Sequence, residues 1–117
     1  MKNSFRTEVP ISRFPFNIDY GTKMLFLGSC FSDNISQKLA DSGFAITSNP
    51  FGVLYNPSSI KSAIEQLLSQ TTITEEDLIY HQGLYHSFWH HGTFSRVDSK
   101  EVLKLANSSI TENTEYL

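Results

Sequence analysis

A short apolar run that stops at a glycine is the feature that most constrains the fold of this chain. Residues 24–27 read Met-Leu-Phe-Leu, and Gly28 then precedes Ser29 and Cys30. The residues that follow space their apolar side chains as a helix does. The sequence therefore predicts a strand, a tight turn and a helix. Ser29 and Cys30 would lie at the C-terminal end of the strand, where open α/β sheets bind and react with ligands.

The pattern that follows predicts a βαβ unit and two further helices. A helix from Ser32 ends at the Ser-Gly pair 42–43, and the β-prone segment 44–47 then predicts a second strand parallel to the first. Pro57 begins a second helix that runs to residue 70, and Ser99 caps a third. Such an order of elements is typical of an α/β fold.

The segments outside these helices divide the chain. Residues 1–22 contain two prolines and a glycine and are predicted to be an extended lead-in, whereas 23–70 hold the βαβ core and the second helix. Residues 71–117 hold an insertion and the third helix. Within the insertion, 74–77 predict a capped turn, and the aromatics and histidines of 83–94 favour a hairpin or a loop.

Composition excludes several functional classes. Twelve acidic and nine basic side chains give a net charge of −3 without any basic cluster, so we expect no nucleic-acid partner. The N-terminus lacks the apolar segment of a signal peptide, and no apolar run approaches the roughly 20 residues that span a bilayer. We therefore expect no membrane partner. A single cysteine, Cys30, cannot form an internal disulfide, which favours a reducing, cytoplasmic location.

Several motifs in the chain match one family. Residues 28–32, Gly-Ser-Cys-Phe-Ser, differ only at Ser32 from the signature Gly-Ser-Cys-Phe-Ala, and 49–57 read Asn-Pro-Phe-Gly-Val-Leu-Tyr-Asn-Pro. Further matches lie in the lead-in, at 5–9, and in Gly-Leu-Tyr-His-Ser at 83–87. With these motifs the chain resembles the GSCFA family, whose members are similar to the SGNH (GDSL-like) hydrolases.

The resemblance implies a fold and an activity. It implies the N-terminal part of a flavodoxin-like, three-layer SGNH fold with parallel strands. It also implies hydrolysis or transfer of an acyl ester on a carbohydrate or similar small molecule, without a cofactor. The family's later blocks, which include the histidine base, would follow residue 117. We therefore expect this stretch to be an N-terminal fragment without turnover of its own.

The resemblance leaves two candidate nucleophiles. SGNH hydrolases place theirs two residues after the glycine that ends the first strand, and that position is Cys30. Ser29 carries the hydroxyl that these enzymes normally use. A thiolate is the better nucleophile, and a helix N-terminus favours the anionic form, whereas a serine needs a histidine base. Both residues remain candidates, and a Ser-Cys pair packed under a loop is the structural alternative.

Four further residues are candidates for the oxyanion hole and for substrate binding. Gly28 begins the first motif, Asn49 and Asn56 lie in the second, and Gly52 corresponds to the hydrolases' second block, where a glycine N–H contributes to the oxyanion hole. The alternative is structural. Gly52 would then be required only because its backbone has a positive φ, and the asparagines would stabilise turns through their side chains.

The four histidines do not predict a metal site. His86 and His90 would share an ion only in a helix, because a four-residue gap in a strand spans about 13 Å. Their aromatic and glycine neighbours favour strand or loop, so we expect aromatic packing or a polar wall facing the substrate. The main alternative to an enzyme is a non-catalytic binding or interaction module on a hydrolase-like scaffold. A weaker alternative is a chain complete at this length that dimerises through its open sheet edge.

Overall fold

The computed structural model describes residue 5 and residues 7–117. Its helices and strands follow the order β1 (Met24–Phe26), α1 (Cys30–Asp41), β2 (Ile46–Ser48), α2 (Pro57–Ser69), β3 (Leu78–His81), β4 (Leu84–Ser87) and α3 (Ser99–Asn113). Short 3-10 turns lie at Glu75–Asp77, Gly92–Phe94 and Thr114–Tyr116. The described part of the chain is therefore a mixed α/β structure, as predicted.

β1 and β2 form a parallel pair, with α1 as the connection between them. Met24 is opposite Ile46, and Phe26 is opposite Ser48. Both strands end at the same edge, so the segments that follow them leave the sheet side by side. We call residues 28–30 the first-motif turn and residues 49–54 the second-motif loop. The predicted parallel pair and its shared edge are confirmed.

α1 begins two residues earlier than predicted, at Cys30 rather than Ser32. The Ser29 hydroxyl accepts a 3.3 Å hydrogen bond from the N–H of Phe31, which makes Ser29 the N-cap. The predicted stop is confirmed, because Gly43 follows the helix with a φ of 92°. α2 has the predicted bounds to within one residue.

The hairpin lies earlier in the chain than predicted. β3 and β4 pair antiparallel around Gln82 and Gly83, whose φ values of 50° and 80° suit a tight two-residue turn. The prediction placed a hairpin or loop at 83–94, but the residues at its end, Gly92–Phe94, form a 3-10 turn. β3 was not predicted, although Leu78, Ile79 and Tyr80 are residues that favour strands; most of its side chains are exposed. Its pairing with β4 supplies the hydrogen bonds that make it a strand.

The core joins α2, α3 and the second-motif loop. Its buried members are Phe51, Leu54, Ala63, Leu67 and Ile110, with Leu25 and Ile60 packed against them. α3 contributes one apolar face at four-residue spacing and is capped by Asp98, whose carboxylate accepts from the N–H of Lys100, rather than by Ser99 as predicted. Phe51, in the middle of the second-motif loop, is fully buried. The loop is thus part of the core rather than a free surface segment.

The lead-in forms no helix or strand over residues 7–19, as predicted for that part of it. Its large apolar side chains, such as Val9 and Phe14, are exposed. No helix within the described residues is both long and apolar enough to cross a bilayer.

Candidate functional site

The first-motif turn presents a thiol at the beginning of a helix. The backbone of Ser29 is extended. Its carbonyl oxygen accepts a 2.9 Å hydrogen bond from the N–H of Ser32, and its hydroxyl oxygen accepts one from the N–H of Phe31. Cys30 is the first residue of α1, and its side chain is exposed. Its own N–H has no acceptor within bonding distance among residue 5 and residues 7–117, as expected at a first helical position. An unused donor therefore accompanies the thiol.

Asn49 connects the second-motif loop to the first-motif turn. Its buried side-chain Oδ1 accepts a 2.8 Å hydrogen bond from the N–H of Gly28, and its own N–H donates to the carbonyl oxygen of Phe26 over 2.8 Å. On the other side, the Gly28 carbonyl oxygen accepts from the N–H of Leu54 at 2.9 Å. Both polar backbone atoms of Gly28 are therefore bonded to the second-motif loop.

Asp33 joins the same network from α1. Its Oδ1 accepts from the Nδ2 of Asn49 at 2.6 Å and from the hydroxyl of Ser48 at 2.7 Å. Asp33 lies in the first turn of α1, where its charge offsets the helix dipole, and it also contacts the second-motif loop. Sequence reasoning missed Ser48, although a hydroxyl at the end of a strand beside the motif was an available signal.

Gly52 is held in a turn and against a histidine. Its N–H donates to the carbonyl oxygen of Asn49 at 2.7 Å, so the donor expected to serve an oxyanion is engaged within the turn. Its φ of 79° favours glycine, and a Cβ at this position would overlap the Cβ of His91. Asn56 caps α2, because its Oδ1 accepts from the N–H of Ser59 at 2.8 Å. The geometry of both residues thus agrees with the structural alternative.

The loop after β4 packs onto the second-motif loop. His90 is buried between the rings of Phe51 and Phe94, at centroid distances of 4.8 and 4.7 Å. Its Nδ1 lies 3.0 Å from the hydroxyl of Ser87, and its buried Nε2 has no partner among the described residues. Burial lowers the pKa of His90 to about 4. His90 is therefore neutral at physiological pH and acts as an aromatic packing group.

α3 supports the second-motif loop from the core. The hydroxyl of Ser109 donates to the carbonyl oxygen of Pro50, and the Thr47 hydroxyl donates to the Oδ1 of Asn113 at 2.5 Å. A sequence that separates these residues so widely gives no signal of either contact. Within the described ranges, no three His, Cys, Asp or Glu side chains are grouped so as to hold a metal ion.

Cavity volume does not point to this site. A shallow groove of about 660 Å³ lies between the C-terminal half of α2 and Trp89, and its lining includes none of the motif residues 28–30 or 49–54. A more enclosed cavity of about 270 Å³ is lined by residues of the hairpin and by Phe88, which follows it. The candidate site is located by the strand edge and its hydrogen bonds instead.

A profile of the GSCFA family matches residues 23–117. The chain belongs to the GSCFA family. The region shared with the GSCFA family contains both motifs, the hairpin and α3, whereas the lead-in residues that also resemble the family lie before it. No curated protein and no solved structure gives a significant match to this GSCFA chain.

Proposed function

We propose that this GSCFA chain supplies the nucleophile of an acyl-ester hydrolase or acyltransferase that acts on a carbohydrate or similar small-molecule ester. The observation that carries the proposal is the exposed thiol of Cys30 at the first position of α1, on the C-terminal edge of a parallel strand pair. Ligands of open α/β sheets bind at that edge. We further propose that β1, α1 and β2 begin a flavodoxin-like SGNH sheet, in keeping with the family's similarity to those hydrolases.

The reaction follows from the positions of the sulfur and the free N–H. The Cys30 thiolate attacks the ester carbonyl carbon, a C–S bond forms, and the carbonyl π electrons move to the oxygen. The Cys30 N–H is the donor within reach of that oxyanion. The intermediate then collapses, the C–O bond breaks, and the departing alcohol takes up the proton that the thiol lost. Water or a second alcohol finally cleaves the thioester.

The structure favours Cys30 over Ser29 as the nucleophile. The Ser29 hydroxyl accepts from the N–H of Phe31 and caps α1, so its use in attack would remove a helix cap. The Cys30 side chain has no such role and is exposed. Two exposed aromatic side chains, Phe31 and Tyr55, belong to the two motifs and offer apolar surface for a substrate ring.

The test is single-turnover acylation followed by intact mass spectrometry. The chain is mixed with p-nitrophenyl acetate and, separately, with acetylated sugars, and glutathione at the same pH provides the rate of an unassisted thiol. We expect one acetyl group per chain, formed faster than on glutathione, retained in Ser29→Ala and lost in Cys30→Ala. Acetylation of wild type no faster than of glutathione, with the fold intact by circular dichroism, would contradict the proposal.

One observation favours a second function, a non-catalytic binding module. The N–H of Gly52 is engaged within its own turn rather than free for an oxyanion. A binding module would bind acetylated sugars, measured by titration calorimetry, without acylating Cys30. Loss of that binding in Phe31→Ala, with no acylation of the wild type, would support it over the enzyme.

A further inference from the structure

We infer that Asp33 is a positioning residue, which holds the first-motif turn in place by orienting the amide of Asn49. The inference rests on the proposed function, since the turn that it positions carries Cys30. Asp33 itself need not touch the substrate. Its effect passes through one side chain to the backbone of Gly28.

The polarity of the network leaves only one orientation of the Asn49 amide. An ionised carboxylate can only accept hydrogen bonds, and a backbone N–H can only donate them. The Nδ2 of Asn49 must therefore face Asp33, at 2.6 Å, and its Oδ1 must face the N–H of Gly28, at 2.8 Å. Without the carboxylate of Asp33, no acceptor at that position would require the Nδ2 of Asn49 rather than its Oδ1.

The backbone at both ends of the amide is already restricted. Gly28 has a φ of 149°, and a Cβ there would lie 2.6 Å from the hydroxyl oxygen of Ser32. Asn49 has a φ of 43°, a conformation that asparagine tolerates better than most residues. Because Gly28 is also bonded to Leu54, the first-motif turn is fixed before any substrate binds. Preorganisation of this kind is what places a nucleophile for attack.

First-turn charge does not account for Asp33 by itself. Such an acid offsets the helix dipole and can leave its oxygens to water. Here one oxygen accepts from two side chains at the end of β2, Ser48 and the buried Asn49. A buried amide that loses its partner is costly, so the contact specifies the arrangement of both segments.

An exchange of the two side chains tests the inference. Asn49→Asp alone places two carboxylates next to each other and removes the donor to Asp33. In the double variant D33N/N49D, the amide at position 33 of α1 can again donate to a carboxylate, now at position 49. Two quantities are measured: the rate of Cys30 acetylation, and the hydrogen-exchange protection of the Gly28 amide by NMR. Asp41→Asn, in the exposed pair of Asp41 with Gln37 on the same helix, is the matched control.

We expect Asn49→Asp to slow acetylation by on the order of 10- to 100-fold and to reduce the protection of Gly28, since small displacements of a reacting group have effects of that size. The double variant should recover most of both quantities, and Asp41→Asn should change neither.

A double variant no better than Asn49→Asp in Gly28 protection would overturn the inference. So would an Asn49→Asp variant that leaves Gly28 protection at the wild-type level. If wild type acetylates no faster than glutathione, the proposed enzyme fails. Gly28 protection still decides in that case whether Asp33 positions the turn.

Discussion

The main-chain N–H of His91 donates a 2.8 Å hydrogen bond to the carbonyl oxygen of Phe51. The Cβ of the same histidine occupies the space beside Gly52. The loop after β4 therefore binds the second-motif loop through a backbone hydrogen bond, whereas Asp33 binds the same loop through its side chain. Residues far apart in sequence thus meet at the segment that positions the candidate nucleophile.

Gly52→Ala should destabilise the fold through two separate effects. A positive φ costs an L-residue about 1–2 kcal/mol, and the overlap with His91 adds about 1–3 kcal/mol of overpacking. The free energy of unfolding, measured by urea titration, should fall by the sum. Gly83→Ala is the matched control, because Gly83 has a similar φ of 80° and no atom within 4 Å of the added Cβ. Equal losses in the two variants would show that the contact with His91 has no energetic weight.

His90 should make stability depend on pH below neutrality. Burial lowers its folded pKa to about 4, whereas the unfolded value is about 6.5. Between these values the unfolded chain binds a proton that the folded chain does not, so the free energy of unfolding decreases as the pH falls through that window. Neutral, buried His90 contributes on the order of 3 kcal/mol to the free energy of unfolding. This contribution is complete above the unfolded pKa of about 6.5 and is lost as the pH falls to the folded pKa of about 4.

Removal of the titrating ring provides the check on that pH dependence. His90→Phe keeps an aromatic ring between Phe51 and Phe94 and should flatten the pH dependence of the urea midpoint between pH 4 and 6.5 relative to wild type. A slope that persists in His90→Phe would assign the acid sensitivity to other groups.

Ser109→Ala should loosen the second-motif loop from α3. The substitution removes the donor to the carbonyl oxygen of Pro50, a buried residue, and a lost hydrogen bond of this kind costs about 1 kcal/mol. The unfolding free energy should fall by that amount, and amide exchange in residues 49–54 should accelerate. Ser108→Ala, at the exposed neighbouring position, should have neither effect. Unchanged exchange in Ser109→Ala would mean that α3 does not restrain the loop.

Cys30 should react with iodoacetamide in the folded protein, because its side chain is exposed at the surface of α1. The labelling rate, followed by mass spectrometry, should rise little when urea unfolds the chain. A rate that increases greatly on unfolding would show that the thiol is covered in solution. Such a result would remove the observation on which the proposed function depends.

The elements that the sequence predicted well are those whose signals are local. The bounds of α2, which begins at Pro57, were predicted to within one residue, and the predicted stop at Gly43 ended α1 correctly. The start of α1 was misplaced because Ser29 was considered as a nucleophile and not as a cap. β3 was missed because an exposed strand acquires its structure from its partner, β4.

The sequence by itself determined the parallel strand pair, the helices, and the place of Ser29 and Cys30 at the junction of a strand and a helix. Hydrophobic periodicity, caps and glycine stops act over a few residues, and they can be read along the chain. Only the tertiary structure decided that Asp33 orients Asn49, that His91 covers Gly52 and that Ser109 holds Pro50. Those contacts join residues 16, 39 and 59 positions apart, and depend on the packing of separate elements around Phe51, which no local pattern records.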